Sequence, residues 1–239
     1  MDNKKLKNLV FAHRGMYDNK EVPENSLLAF RRAVLFKQPI ELDIQLTKDE
    51  KIVVVHDYNL KRLTGEDKFV GELTLDELQN CHLFHTNESI PTLEDVFLLV
   101  AGKVLLDIEI KETKKPQLLI NSLLSLLENY SGEVVLKSFY PNIVRILKKK
   151  KVGYPVGLLI TDNFSHKIAY SIITSSQFIS LVQPDFLAIS KALASKSRWQ
   201  RLRKKYCLWV WTIQNGPELQ KYREVADSFI CNHLPYPKL

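Results

Sequence analysis

The chain has 239 residues, 45% of them hydrophobic, a formal net charge of +7 and an isoelectric point near 9.2. This length can bury one sizeable core, and no run approaches the roughly 20 apolar residues that cross a bilayer. The positive balance favours anionic ligands without choosing among a phosphate metabolite, a lipid surface and nucleic acid, and a solvated basic surface accounts for it equally well.

Cys81, Cys207 and Cys231 are odd in number and widely spaced, with neither a disulfide framework nor zinc-ligand spacing. They suit small buried thiols in a reducing compartment. The charged start, Met1 to Lys7, precedes an apolar stretch too short for a signal peptide, so the expected location is the cytoplasm.

In chain order, residues 8–13 form a short apolar run with a polar end, as expected of a buried parallel strand. Asn25 or Ser26 can cap the next helix, which carries Leu27, Phe30 and Val34 on one face. A second strand is expected over 39–44, and a further apolar run, 52–55, delivers His56. Residues 57–90 then depart from the main repeat and contain a small helix capped at Thr74.

Regular alternation resumes at Thr92-Leu93-Glu94-Asp95, a capping signature that opens a helix to about residue 101. Strands are expected over 103–109, 133–138, 155–160, 185–189, 207–212 and 227–231. The helices between them are expected over 116–130, with Leu119, Leu123, Leu126 and Tyr130 in register, then 141–151, 165–181, a basic stretch 191–205, and one opening at Gly216-Pro217. Eight main strands, each followed by a helix until the end, predict an α/β fold, a (β/α)8 TIM barrel. The expected organisation is one domain over 1–239, with a small insertion over 57–90 after the second barrel strand. An open doubly wound sheet is the alternative, but Gly15 stands alone where such a sheet carries a glycine-rich phosphate turn.

In a barrel, chemistry collects at the C-terminal strand ends, where His13, Glu41 with Asp43, Glu109, Ser138 and Trp211 all fall. Residues two apart on a strand face the same way, so Glu41 pairs with Asp43 and Glu109 with Lys111. His13 and His56 offer imidazoles that accept or donate a proton near neutral pH. In the competing reading, Arg14 and Lys111 simply neutralise these acids as core salt bridges. Ser138 is then a backbone-satisfied buried serine, and Trp211 belongs to the core. His82, His85, His166 and His233 have no comparable setting and read as surface or packing residues.

The segments His13-Arg14-Gly15, Pro23-Glu24-Asn25-Ser26, Glu41-Leu42-Asp43, Thr47-Lys48-Asp49-Glu50 and the run from His56-Asp57 to Arg62-Leu63-Thr64-Gly65 stand in fixed order. Together they resemble the glycerophosphodiester phosphodiesterase family. The later Glu109-Ile110-Lys111, Ser138-Phe139 and Trp211-Thr212 extend the resemblance. It implies that Glu41, Asp43 and Glu109 hold a divalent cation; hard oxygen ligands suit Mg²⁺ or Ca²⁺. It further implies acid–base roles for His13 and His56, phosphate contacts for Arg14 and Lys111, and substrate contacts for Ser138 and Trp211. Glu24 and Asn25 are expected to shape the first loop, and Arg62 and Thr64 to brace the loop behind His56. Glu50, Gln214 and the 227–235 stretch depart from the family's pattern, the last two in the seventh and eighth loops.

The implied activity is metal-dependent hydrolysis of glycerophosphodiesters to glycerol phosphate and an alcohol. A lysophospholipid-type phosphodiesterase on the same barrel and a non-catalytic phosphodiester-binding protein are the rival readings. The expected partner is a small-molecule phosphodiester. Nucleic acid is not expected, because the basic runs 148–151 and 191–205 show little interleaved aromatic spacing.

Overall fold

A computed structural model describes residues 3–163 and 174–232. The expected residues His166 and His233, the first part of the 165–181 helix and the last residues of the 227–235 stretch lie outside the described residues. The fold is an α/β (β/α)8 TIM barrel: parallel strands alternate with helices along the chain, and a single short antiparallel strand, β3 below, is added among the described residues. Two compact units divide it, Ala12–Val134 and Met1–Phe11 with Val135–Leu239.

The Ala12–Val134 unit holds the end of β1 (Val10–His13), then α1 (Leu27–Leu35), β2 (Ile40–Leu46) and β3 (Ile52–Val54). After these come the short α2 (Lys61–Thr64) and α3 (Leu75–Gln79), then α4 (Leu93–Val100), β4 (Leu106–Ile110) and α5 (Pro116–Glu128). Strand β2 is buried along its whole length, the pattern of a parallel strand covered on both faces. On one edge β2 pairs in parallel with β4, Glu41 opposite Asp107 and Asp43 opposite Glu109. On the other edge its first residues pair with β1, His13 opposite Glu41, and its last residues with antiparallel β3.

Ser26 caps α1, its hydroxyl accepting from Ala29 N at 3.1 Å. Asn25 instead takes a left-handed backbone, φ 55°, and turns its side chain to Asp43. The buried face of α1 is Ala29, Phe30 and Ala33, while Leu27 and Val34 are half-buried, a rotation from the face expected. The reason is close approach: a Cβ on Gly15, at φ +83°, would lie 2.9 Å from Ala29 Cβ, so small residues must meet here. On α5 the buried row continues to Leu127 rather than Leu126, following the four-residue step from Leu119 through Leu123. Strand β4 starts three residues later than expected because α4 ends on left-handed Ala101 and Gly102 turns the chain.

The 57–90 stretch carries an apolar cluster of its own. Leu60, Leu63, Val70, Leu73, Leu78, Cys81, Leu83 and Ile90 pack with Val53 and Val55 beside β3.

In the other unit, β5 (Val134–Ser138), α6 (Pro141–Lys149), β6 (Val156–Ile160), α7 (Ser176–Val182) and β7 (Phe186–Ser190) are followed by α8 (Lys191–Ala194) and α9 (Ser197–Arg203). The last elements are β8 (Cys207–Ile213), α10 (Gly216–Tyr222) and β9 (Ser228–Cys231). Strands β5 to β9 pair in parallel in sequence order. Trp209 stacks on Phe186 at 4.1 Å and lies 4.9 Å from Phe11, with its indole N–H donating to Leu6 O at 2.9 Å. The basic stretch 191–205 is two helices rather than one. Lys196 is extended, and Gln200 Nε2 donates to Ala194 O at 2.7 Å, closing the first helix while Trp199 is buried on the second.

Helix α4 starts with a full capping box, Thr92 Oγ1 accepting from Asp95 N at 3.1 Å and Asp95 Oδ2 from Thr92 N at 3.0 Å. Thr92→Ala removes one half of it and is expected to cost about 1 kcal/mol. Urea unfolding checks this, and an unchanged midpoint would show that the cap contributes nothing.

Candidate active site

The register of two strands, β2 and β4, assembles the acids. Parallel neighbours lie about 4.8 Å apart, so residues opposite each other with side chains on one face converge. Glu41 and Asp43 share a face of β2, and Glu109 stands opposite Asp43 on β4. All three are buried, and one oxygen from each lies within 4.8 Å of the other two. Like charges this close are held only by cations. Lys111 Nζ lies 2.9 Å from Glu109 Oε1 and 3.4 Å from Asp43 Oδ1, and Arg14 Nε is 3.6 Å from Asp43 Oδ2.

The electrostatics follow from those contacts. Burial alone would raise the Asp43 carboxyl, but Lys111, His56, Arg14 and His13 hold it well below the usual range. Burial would lower Lys111, yet Asp43 and Glu109 raise it. Arg14 is likewise raised against its burial, by Asp43, Glu24 and Glu41. The inner set carries three carboxylates against Lys111 and Arg14, leaving one negative charge with both histidines neutral. That sum suits a divalent cation: it would make the set singly positive, matched to a singly charged diester. Asn25 adds an oxygen: its Nδ2 donates to Asp43 Oδ2 at 3.0 Å, while its buried Oδ1 has no hydrogen-bond partner.

His13, at the end of β1, places Nε2 at 4.0 Å from Glu41 Oε2. The next residue, Arg14, has φ 56° and donates its backbone N–H to Glu41 Oε2 at 3.0 Å. His56 arrives by another route: β3 lies antiparallel on β2, Val55 N donates to Asp43 O at 3.0 Å, and the chain leaves beside the acids. Gln45, on the acid face of β2, holds this exit by donating to the carbonyls of Val55, His56 and Asp57.

Behind the site, Glu24 is a buried hub accepting from Arg14 Nη1, from Asn19 Nδ2 at 2.8 Å, and from Arg62 at 2.9 and 2.7 Å. Arg62 also grips Asp57 at 2.6 and 3.0 Å, and Asp57 Oδ1 lies 2.7 Å from His56 Nδ1. Arg62 therefore braces the loop behind His56 as expected. Asp57 and Asn25 contact site residues that sequence reasoning left without such partners. Their signal was adjacency alone, in His56-Asp57 and Glu24-Asn25.

Ser138 and Trp211 lie in the unit formed by Met1–Phe11 and Val135–Leu239. The Ser138 hydroxyl, at the end of β5, accepts from Tyr140 N at 3.2 Å. Trp211 donates to Ala188 O at 3.1 Å and meets Phe139 edge-on at 5.4 Å.

Parallel strands alternating with helices and a buried carboxylate cluster beside His13 define a barrel protein with the groups of a catalytic site. Residues 13–227 match the Glycerophosphoryl diester phosphodiesterase family, and the chain belongs to that family. A glycerophosphodiester phosphodiesterase of Caldanaerobacter subterraneus is 39% identical over 165 residues, 64% of this chain and 67% of the relative. A solved glycerophosphodiester phosphodiesterase of Thermotoga maritima is 27% identical with a TM-score of 0.73, covering 94% of each chain. An Oleispira antarctica phosphodiesterase, solved in complex with the product sn-glycerol-3-phosphate, shares the fold at 20% identity, TM-score 0.81, over 96% of this chain and 95% of its own. The chain is thus an enzyme of the glycerophosphodiester phosphodiesterase class. Among the described residues no helix is long and apolar enough to cross a membrane.

Glu24 sets an acid limit on stability. Burial would raise its carboxyl, but Arg62, Arg14 and Asn19 pull it from 4.5 down to about 2. Because the folded value is depressed, its stabilisation is complete above pH 4.5 and drains away as pH falls toward 2. Glu24→Gln is expected to be less stable by up to about 3 kcal/mol near neutral pH, with the gap closing in acid. Unfolding curves across that range check this, and a gap independent of pH would contradict it.

Proposed function

We propose that this enzyme hydrolyses glycerophosphodiesters to glycerol phosphate and an alcohol, with Glu41, Asp43 and Glu109 holding a divalent cation and His13 and His56 moving protons. The observation that carries this reading is the burial of three converging carboxylates next to His13 and Arg14. The Oleispira relative's product, sn-glycerol-3-phosphate, has the chemistry that this reading expects here. Bound at these acids, Mg²⁺ or Ca²⁺ would supply Lewis-acid polarisation of the phosphoryl group and offset its charge.

The chain's own residues do the rest. Arg14, fixed by Glu24 and Asp43, presents a guanidinium to the phosphoryl oxygens. Lys111 balances Asp43 and Glu109 and faces the same anion. One imidazole accepts the proton of the attacking group, a water or the substrate's own glycerol hydroxyl, and the other donates a proton to the departing alcohol oxygen. Where the glycerol hydroxyl attacks, water then opens the cyclic phosphate. His56, engaged at Nδ1 by Asp57, offers Nε2 for this work. We assign Ser138, the last residue of β5, and Trp211, on β8, to substrate contact. The domain reading is one catalytic domain over 1–239 with 57–90 as an insertion, and three buried, separate cysteines favour the cytoplasm.

A hydrolysis panel of glycerophosphodiesters and lysophospholipids, with and without chelator, tests this. His13→Ala and His56→Ala are each expected to lower kcat about 10²- to 10⁴-fold with the fold intact. An intact protein that turns over no diester would instead be a binder. Mg²⁺ or Ca²⁺ at one hundred times its Kd is expected to add about 2.7 kcal/mol to unfolding stability, because it binds only the folded state. No thermal shift, together with activity indifferent to chelation, would remove the cation and leave Arg14 and Lys111 as simple neutralising partners.

A further inference from the structure

Four charged side chains lead in a continuous chain to an imidazole: Arg14 to Glu24, Glu24 to Arg62, Arg62 to Asp57, and Asp57 to His56. Its central links are two-pronged. Arg62 gives Nη1 and Nη2 to the two oxygens of Glu24 at 2.9 and 2.7 Å, and Nε and Nη2 to the two oxygens of Asp57 at 2.6 and 3.0 Å. Only a planar guanidinium can serve two carboxylates this way; a lysine in its place offers a point charge.

We propose that Asp57, clamped by Arg62 and through it by Glu24, is the positioning residue for His56, fixing its ring and keeping its mobile proton on Nδ1. The inference rests on the reading of His56 as a proton carrier. The geometry supplies three reasons. First, Asp57 Oδ1 lies 2.7 Å from Nδ1, and an ionised carboxylate only accepts, so the ring nitrogen facing it must carry hydrogen. Second, Asp57 is kept ionised: burial would raise its carboxyl, but His56 and Arg62 hold it far below the usual range. Third, the His56 side chain is a third exposed and Gln45 of β2 holds the backbone there, leaving the ring to Asp57, whereas Glu24 is 3% exposed and held from three sides. The rigid end of the network is thus the buried glutamate, and the histidine is its working end. The same glutamate grips Arg14, so the phosphate-facing guanidinium and the proton-carrying imidazole are referred to one fixed point.

Asp57 touches no reacting atom in this account. Its nearly isosteric variant Asp57→Asn can present its amide N–H to Nδ1 and so favour the opposite tautomer. The expected result is a fall in kcat of about 10²-fold or more on the diester cleaved best by the wild type, with KM changed less than threefold. Arg62→Lys, which keeps the charge and loses the fork, is expected to fall between wild type and Asp57→Asn. Nitrogen-15 NMR of histidine-labelled protein gives a readout independent of turnover: wild-type His56 should show a protonated Nδ1, and Asp57→Asn should shift the proton to Nε2. An unchanged tautomer in Asp57→Asn, or a loss confined to KM, would overturn the proposal. If the wild type cleaves no diester, the functional reading fails while the NMR comparison still decides whether Asp57 sets the tautomer.

Discussion

Like-charge crowding is the constraint around which the site is built. Parallel pairing of β4 with β2 puts Glu109 opposite Asp43, and pairing of β1 with β2 puts His13 opposite Glu41. The backbone ladder that holds these strands thereby forces three carboxylates within 4.8 Å of one another and out of water. Desolvated anions at that spacing cannot persist unless nearby cations match them. Arg14 and Lys111 are that response within the chain, Asn25 adds a neutral hydrogen bond to Asp43, and these contacts fix the geometry of the acids.

Charge is layered outward from there. The inner acids face Lys111 and Arg14, Arg14 faces Glu24, and Glu24 and Asp57 share Arg62. Each ion is opposed by a neighbour of the other sign, which keeps the cluster ionised despite burial and gives each polar atom a narrow choice of position. Isolated buried pairs gain little because desolvation offsets attraction. Here the arrangement has a different consequence, since it orders Arg14 and His56 about the buried Glu24.

Much of this was legible in the sequence, for reasons that can be named. Alternation on a strand is strict, so Glu41 with Asp43 and Glu109 with Lys111 are same-face pairs whatever surrounds them. Caps are local, so Thr74 and Thr92 open their helices as read. What escaped was set by contacts between distant residues. Gly15 against Ala29 rotated the buried face of α1, and the burial of Trp199 accompanied a break in a basic stretch that reads as one helix. Asp57 and Asn25 escaped for the same reason. Their partners are fixed by where β3 and the first loop bring the chain, and a neighbour in sequence says nothing of which way a side chain turns.

The apolar cluster formed by the 57–90 stretch with Val53 and Val55 gives His56 a mounting of its own. The acids stand on the main sheet, whereas the histidine stands between a short hairpin strand and a small oily knot of leucines and valines. The two foundations meet where Val53 pairs with Gln45 and Val55 N donates to Asp43 O. Repacking the knot would re-aim the imidazole first and reach the acid trio through that short ladder, so a lineage could retune the gap between His56 and the acids without rebuilding the barrel.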